Sequence, residues 1–169
     1  MKKIIIILFI LTLCTVLFNK EKQVVIPNTA IRFRIIANSD SKKDQSLKYK
    51  IRNDIEPDII NTISSVKTIE EARNNIVSYI PNIEEKISTY TQDYKINYGN
   101  NYFPKKEYKG VIYEEGEYES LVITLGNGLG ENWWCVLFPP LCLLEAEESE
   151  IENTEYKFFI NEVLSKFKN

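Results

Sequence analysis

Residues 126–142, Gly-Asn-Gly-Leu-Gly-Glu-Asn-Trp-Trp-Cys-Val-Leu-Phe-Pro-Pro-Leu-Cys, constrain the fold more than any other stretch of this chain. Both tryptophans, two of the three cysteines, three of the six glycines and two of the six prolines fall there. A core needs only apolar volume of roughly the right shape, so such clustering asks for a second explanation. The order of residues dictates a polar glycine loop, then an aromatic and apolar strand, then a Pro-Pro corner. Gly126, Gly128 and Gly130 suit positive φ in a tight connection between strands. A phosphate-cradling loop would open a helix and carry Lys-Ser or Lys-Thr. Here Glu131-Asn132-Trp133 follows and leads into a strand.

In that strand Trp133, Cys135 and Leu137 face one way, and Trp134, Val136 and Phe138 the other. If helices cover one side of the sheet, one indole is at least partly exposed beside Phe138, the composition of a binding hot spot. If layers cover both sides, the two rings are core. Both readings stand at this point. The expected partner-binding surface is Asn132, Trp133, Trp134 and Phe138, framed by Gly126, Gly128 and Gly130. Cys135 and Cys142 enclose a short loop, and either a disulfide or two inert buried thiols accounts for them.

The 169 residues suit one domain with a real core, and 44% hydrophobic with 27% charged residues is ordinary globular composition. There is no histidine. That excludes Ser-His-Asp and Cys-His catalysis and every zinc site that needs an imidazole. The expectation is a protein that is not an enzyme, with no metal and no cofactor.

Met1-Lys2-Lys3 followed by the apolar run Ile4 to Phe18 and polar Asn19-Lys20-Glu21-Lys22 has the layout of an export signal. The run is shorter than a usual spanning helix, and no small-x-small pair marks a cleavage point. Residues 1–22 are therefore read as a signal peptide or an uncleaved anchor, and 23–169 as the domain. Leu13 directly before Cys14 argues against lipoprotein processing. Cutting near Gln23 removes four lysines and one glutamate, leaving the remainder more acidic than the whole chain's −3. An acidic domain is a poor match for nucleic acid or for anionic lipid, so a protein partner is expected.

Along the domain, Ile31 to Ala37 alternates as a strand, and Ser41 with Asp44 caps a helix whose stripe is Leu47, Ile51, Ile55 and Ile59. Pro57 is expected to kink or restart it. Thr68-Ile69-Glu70-Glu71 is a capping box for a second helix along Ala72, Ile76 and Ile80, and Pro81 again predicts an interruption. Tyr94, Ile96 and Tyr98 alternate towards an expected turn at Gly99-Asn100-Asn101. Tyr118 to Leu125 and Trp133 to Phe138 are further strands. An acidic run from Glu145 to Glu155 precedes a helix whose Phe158, Phe159, Val163, Leu164 and Phe167 are expected to cover a sheet. The fold expected is a single α+β domain, a small mostly antiparallel sheet packed against helices.

These residues resemble the stage II sporulation protein R family of endospore-forming bacteria. The resemblance is carried by Ile31-Arg32-Phe33-Arg34, Ala37-Asn38-Ser39-Asp40, Asp44-Gln45, Leu47-Lys48 and Arg52. Phe103-Pro104, Tyr108, Gly116-Glu117-Tyr118-Glu119 and Leu121 follow, and Asn132 to Cys142 with Gly126, Gly128 and Gly130 is the most specific part. Glu114 and Ser120 stand where such proteins tend to carry Pro and Ala. The resemblance implies export from the forespore into the space between the two septal membranes. There the protein would activate a membrane-embedded aspartic-type protease of the mother cell, which cleaves the sigma-E precursor. Membrane contact would come only through the signal or anchor segment or through that partner. A cell-wall glycan-binding module, with the tryptophans stacked on sugar rings, is the alternative reading.

Overall fold

The computed structural model describes residues 24–27, 29–108, 111–142 and 153–167. The expected signal or anchor over 1–22, with Cys14, lies outside the described residues, as do Glu145, Glu147, Glu148, Glu150 and Glu152. In chain order the elements are β1 (Val24–Val25), β2 (Ile31–Ile36), α1 (Lys42–Ile63), α2 (Ile69–Ser88), β3 (Tyr94–Phe103), β4 (Lys106–Tyr108), β5 (Val111–Tyr113), β6 (Gly116–Leu125), β7 (Asn132–Phe138) and α3 (Asn153–Lys166).

The main sheet has the order β3-β6-β2-β7. β2 runs parallel to β6, from which α1, α2 and β3 to β5 separate it in the chain, and antiparallel to β7. β3 pairs antiparallel with β6 along ten residues. The result is a mixed sheet in an α+β domain, with antiparallel ladders in the majority.

Alternation sets the core. Ile31, Phe33 and Ile35 of β2, with Leu121, Ile123 and Leu125 of β6, face α1 and α2 and are buried. The helices meet them with Ile51, Ile55, Ile59, Ala72, Ile76, Ile83 and Ile87. Ser41 caps α1 by accepting the Asp44 N–H at 3.1 Å. Thr68 and Glu71 form the reciprocal box at the start of α2.

Three expectations are corrected here. Neither Pro57 nor Pro81 interrupts or restarts its helix: α1 and α2 both run on through them. A proline deletes one backbone bond, and buried Ile55 and Ile59 on one helix, with Ile76 and Ile83 on the other, hold each segment on the sheet across that gap. Gly99-Asn100-Asn101 is not a turn but the middle of β3, paired in that order with Ser120, Glu119 and Tyr118 of β6. The Asn101 amide donates to Ser120 Oγ at 3.0 Å, so cross-strand partners overrode a turn-like composition.

The other face of the main sheet carries a second layer. A small sheet of order β1-β5-β4 and helix α3 enclose Ile26, Ala30, Val111, Tyr113, Val136, Leu141 and Ile160. The expected face of α3 is also corrected. Among its described side chains Ile160 is buried, Val163 and Leu164 pack partly against this layer, and Phe158 and Phe159 are exposed.

Candidate functional site

β7 is an edge strand: among the described residues its only ladder is with β2. Ile31 pairs with Phe138 and Arg32 with Val136, so the register shifts and Leu137 is the extra residue of a bulge. Strict alternation therefore fails at the end of the strand. Leu137 and Phe138 both join the helix-side core, and Phe138 does not share the face of Trp134 as expected. It is 7% exposed, and its ring lies 5.0 Å from Phe167. With Pro139, Leu164 and Phe167 it borders a separate cavity of about 480 Å³.

The two tryptophans obey the alternation. Trp133 turns towards the helix side, edge-on to Phe33 at 5.6 Å. Trp134 turns towards the second layer, edge-on to Tyr113 at 4.8 Å and to Phe103 at 5.9 Å. Both rings are half-buried. They border one groove of about 320 Å³ that also takes in exposed Asn132. On the Trp133 side its wall is Tyr49 and Arg52 of α1. On the Trp134 side it is Lys106 and Tyr108 of β4, with Tyr113 of β5. The groove thus straddles the outer edge of β7.

The electrostatics of the groove run against the acidic balance of the chain. Among the described residues its charged lining groups are Lys106 and Arg52, the latter ion-paired with Glu56 at 3.5 Å, and no described carboxylate lines it. Each cation lies over an indole: Arg52 is 5.2 Å from the Trp133 ring centre, and Lys106 is 5.2 Å from that of Trp134. Behind Trp134, Arg32 is fully buried between aromatic rings, 3.4 Å from the Tyr118 centroid and 5.1 Å from that of Trp134. Its Nη2 donates to the Glu114 carbonyl at 3.4 Å, while Nε and Nη1 have no hydrogen-bond partner among the described residues. Burial pushes the Arg32 guanidinium down to about 10, partly offset by Tyr118 and Tyr113.

The glycines do other work. Gly126 and Gly128 have φ of 54° and 65°, and a Cβ at Gly126 would collide with the Asn38 side chain. A Cβ at Gly130 would collide with the Ser39 backbone. The loop is bound to that neighbour by Gly130 N–H to the Ala37 carbonyl at 2.9 Å and by Asn127 N–H to Asn38 Oδ1 at 2.9 Å. Asn38 and Ser39 in turn donate to Asp44, at 2.8 and 2.6 Å, which holds its carboxyl below the usual range. Gly126, Gly128 and Gly130 therefore seat the loop on the start of α1 and are not among the groove residues.

Cys135 and Cys142 form a disulfide, with Cα atoms 5.3 Å apart. Inside it Leu141 N–H bonds back to the Val136 carbonyl at 3.1 Å, which turns the chain at Pro139-Pro140. Sequence reasoning missed the groove walls from β4 and β5. Each strand is three residues long, too short for a periodicity to show.

Among the described residues no helix is long and apolar enough to cross a membrane. No solved structure matches the chain. A family profile described as Stage II sporulation protein R (spore_II_R) matches residues 27–148. The chain is also 45% identical, over 139 residues, to Stage II sporulation protein R of Bacillus subtilis (strain 168). That match covers 78% of this chain and 62% of the relative's length. The kinship supports a role in sporulation, and it takes in the glycine loop, both tryptophans and both bonded cysteines. The chain belongs to the stage II sporulation protein R family.

Proposed function

We propose that this chain is an exported signalling protein of sporulation that catalyses no reaction itself. It activates a membrane-embedded aspartic-type protease, which then cleaves the sigma-E precursor in the mother cell. It acts in the space between the forespore and mother-cell membranes, as a released protein or held by its N-terminal segment. The observation that carries the reading is the meeting of Asn132, Trp133 and Trp134 in one groove on an edge strand. Aromatic residues in such a setting supply most of the energy of protein contacts. Differential affinity for the active protease would shift it towards that state.

The test is genetic. Deleting the gene should leave the septum intact and the sigma precursor uncut, and the wild-type chain should restore cleavage. Trp134→Ala should fail to restore it at normal protein level. Cleavage in the deletion strain would end the proposal.

The aromatic lining also fits a glycan, which is the second reading. Retention of the protein on peptidoglycan, lost on Trp134→Ala, would favour it.

A further inference from the structure

The outer edge of β7 has a defined hydrogen-bonding pattern. The Val136 carbonyl points away from β2, since it accepts from Leu141 N–H within the disulfide loop. Backbone groups alternate along a strand, so those of Trp134 and Asn132 point to the same outer side. Among the described residues no strand pairs there. This unpaired stretch lies along the groove, between a wall of α1 and a wall of β4 and β5.

Resting on the function proposed above, we infer that this groove takes an extended acidic polypeptide segment, which adds to β7 as a further strand. Three observations select that occupant. An unpaired edge offers main-chain donors and acceptors to a strand. Among the described residues the charged groups of the lining are both cations, Lys106 and Arg52 (the latter also paired with Glu56), in a chain of net charge −3. Arg32, stacked behind Trp134, forms no ion pair among the described residues and has two nitrogens without a partner, so its charge adds to the positive potential of the groove. A sugar ring fits less well, because Arg52 and Lys106 already lie over the two indoles on which it would stack. The occupant pairs with Asn132 and Trp134 through its main chain and directs carboxylates at Arg52 and Lys106.

A library of random dodecapeptides displayed on phage, panned against the full-length chain with its disulfide intact, tests this. Enriched sequences should be rich in Asp and Glu. A synthetic copy should lose about tenfold in affinity when its acids become amides, and a similar factor against Lys106→Glu or Arg52→Gln. Its binding should slow hydrogen exchange at the amides of Asn132 and Trp134. No enrichment, enrichment of acid-free peptides, or protection confined elsewhere would overturn the inference. So would protection of these same amides by peptidoglycan fragments in place of a peptide. In cells, a deletion strain that still cuts the precursor defeats the proposed function alone. If deletion blocks cleavage while the double variant Arg52→Gln with Lys106→Glu supports it at normal level, the function stands and the acidic-strand inference fails.

Discussion

Trp133 and Trp134 are adjacent in the chain, yet their rings belong to opposite layers of the domain. The first is edge-on to Phe33 in the helix-side core, and the second is edge-on to Tyr113 of the small sheet. Because β7 is an edge strand, both rings still border one groove. An interior strand would have separated them by its neighbour. A change in either layer should therefore be felt at the groove.

Phe33→Ala tests that link. Phe33 is fully buried and its ring supports Trp133. The truncation should cost about 3 to 5 kcal/mol of stability and raise the exposure of Trp133. Urea unfolding gives the first, and quenching of indole fluorescence by iodide gives the second.

The glycine loop should be intolerant for a backbone reason. Gly126→Ala places a Cβ at positive φ and against Asn38. A loss of about 1 to 3 kcal/mol is expected, with the Asn38 to Asn127 hydrogen bond disturbed. Thermal unfolding of Gly126→Ala beside Asn38→Ala should show losses that do not add, because the two side chains occupy one contact.

Removing the disulfide should weaken the fold without a chemical phenotype. The paired change Cys135→Ser with Cys142→Ser opens a short loop and should lower stability by about 2 to 3 kcal/mol. Reductant should lower the melting temperature of the wild type but not that of the double variant. Full loss of activity at normal protein level in the double variant would point to chemistry at the sulfurs.

Stability should fall in acid, and the sign follows from particular carboxyls. Hydrogen bonds from Ser39 and Asn38 depress Asp44. Burial pushes Glu119 up, but Arg73 and Tyr98 outweigh it, and the net position is below the usual range. Arg73 Nη2 lies 2.8 Å from Glu119 Oε2, and Tyr98 donates to Oε1 at 2.7 Å. A depressed carboxyl stabilises fully above its unfolded value and loses that as pH drops through its folded value. Urea midpoints should therefore decline from about pH 5 downwards, more gently in Glu119→Gln.

Glu56 should run the other way. Burial raises it, with Arg52 3.5 Å away opposing. A raised carboxyl is neutral to stability below its unfolded value, destabilises as pH rises above that, and does so fully above its folded value. Glu56→Gln should gain stability at pH 7 relative to wild type, and the gain should disappear near about pH 4. Paired unfolding curves at the two values decide it.

The legible parts of this molecule are those with a long period or a cap. The stripe from Ile51 to Ile59, the Thr68 to Glu71 box and the strands around Ile31, Tyr118 and Trp133 all stand where the residues place them. What failed depends on partners distant in the chain. The prolines inside α1 and α2 are carried by the sheet beneath them, and the turn-like Gly99 to Asn101 is carried by β6. The bulge that moves Phe138 to the helix side arises only in pairing with β2.

The amino-acid sequence alone determined the α+β class, the family resemblance, the exclusion of histidine chemistry, and the concentration of glycine, tryptophan and cysteine in one stretch. Those follow from residue types and short spacings, which need no folded neighbour. Tertiary structure decided that the cysteines meet, that the glycines seat a loop on Asn38 and Ser39, and that Arg52 and Lys106 flank the indoles. The physical reason is that a groove on an edge strand is made by walls from α1, β4 and β5, and no local pattern in β7 encodes what will stand beside it.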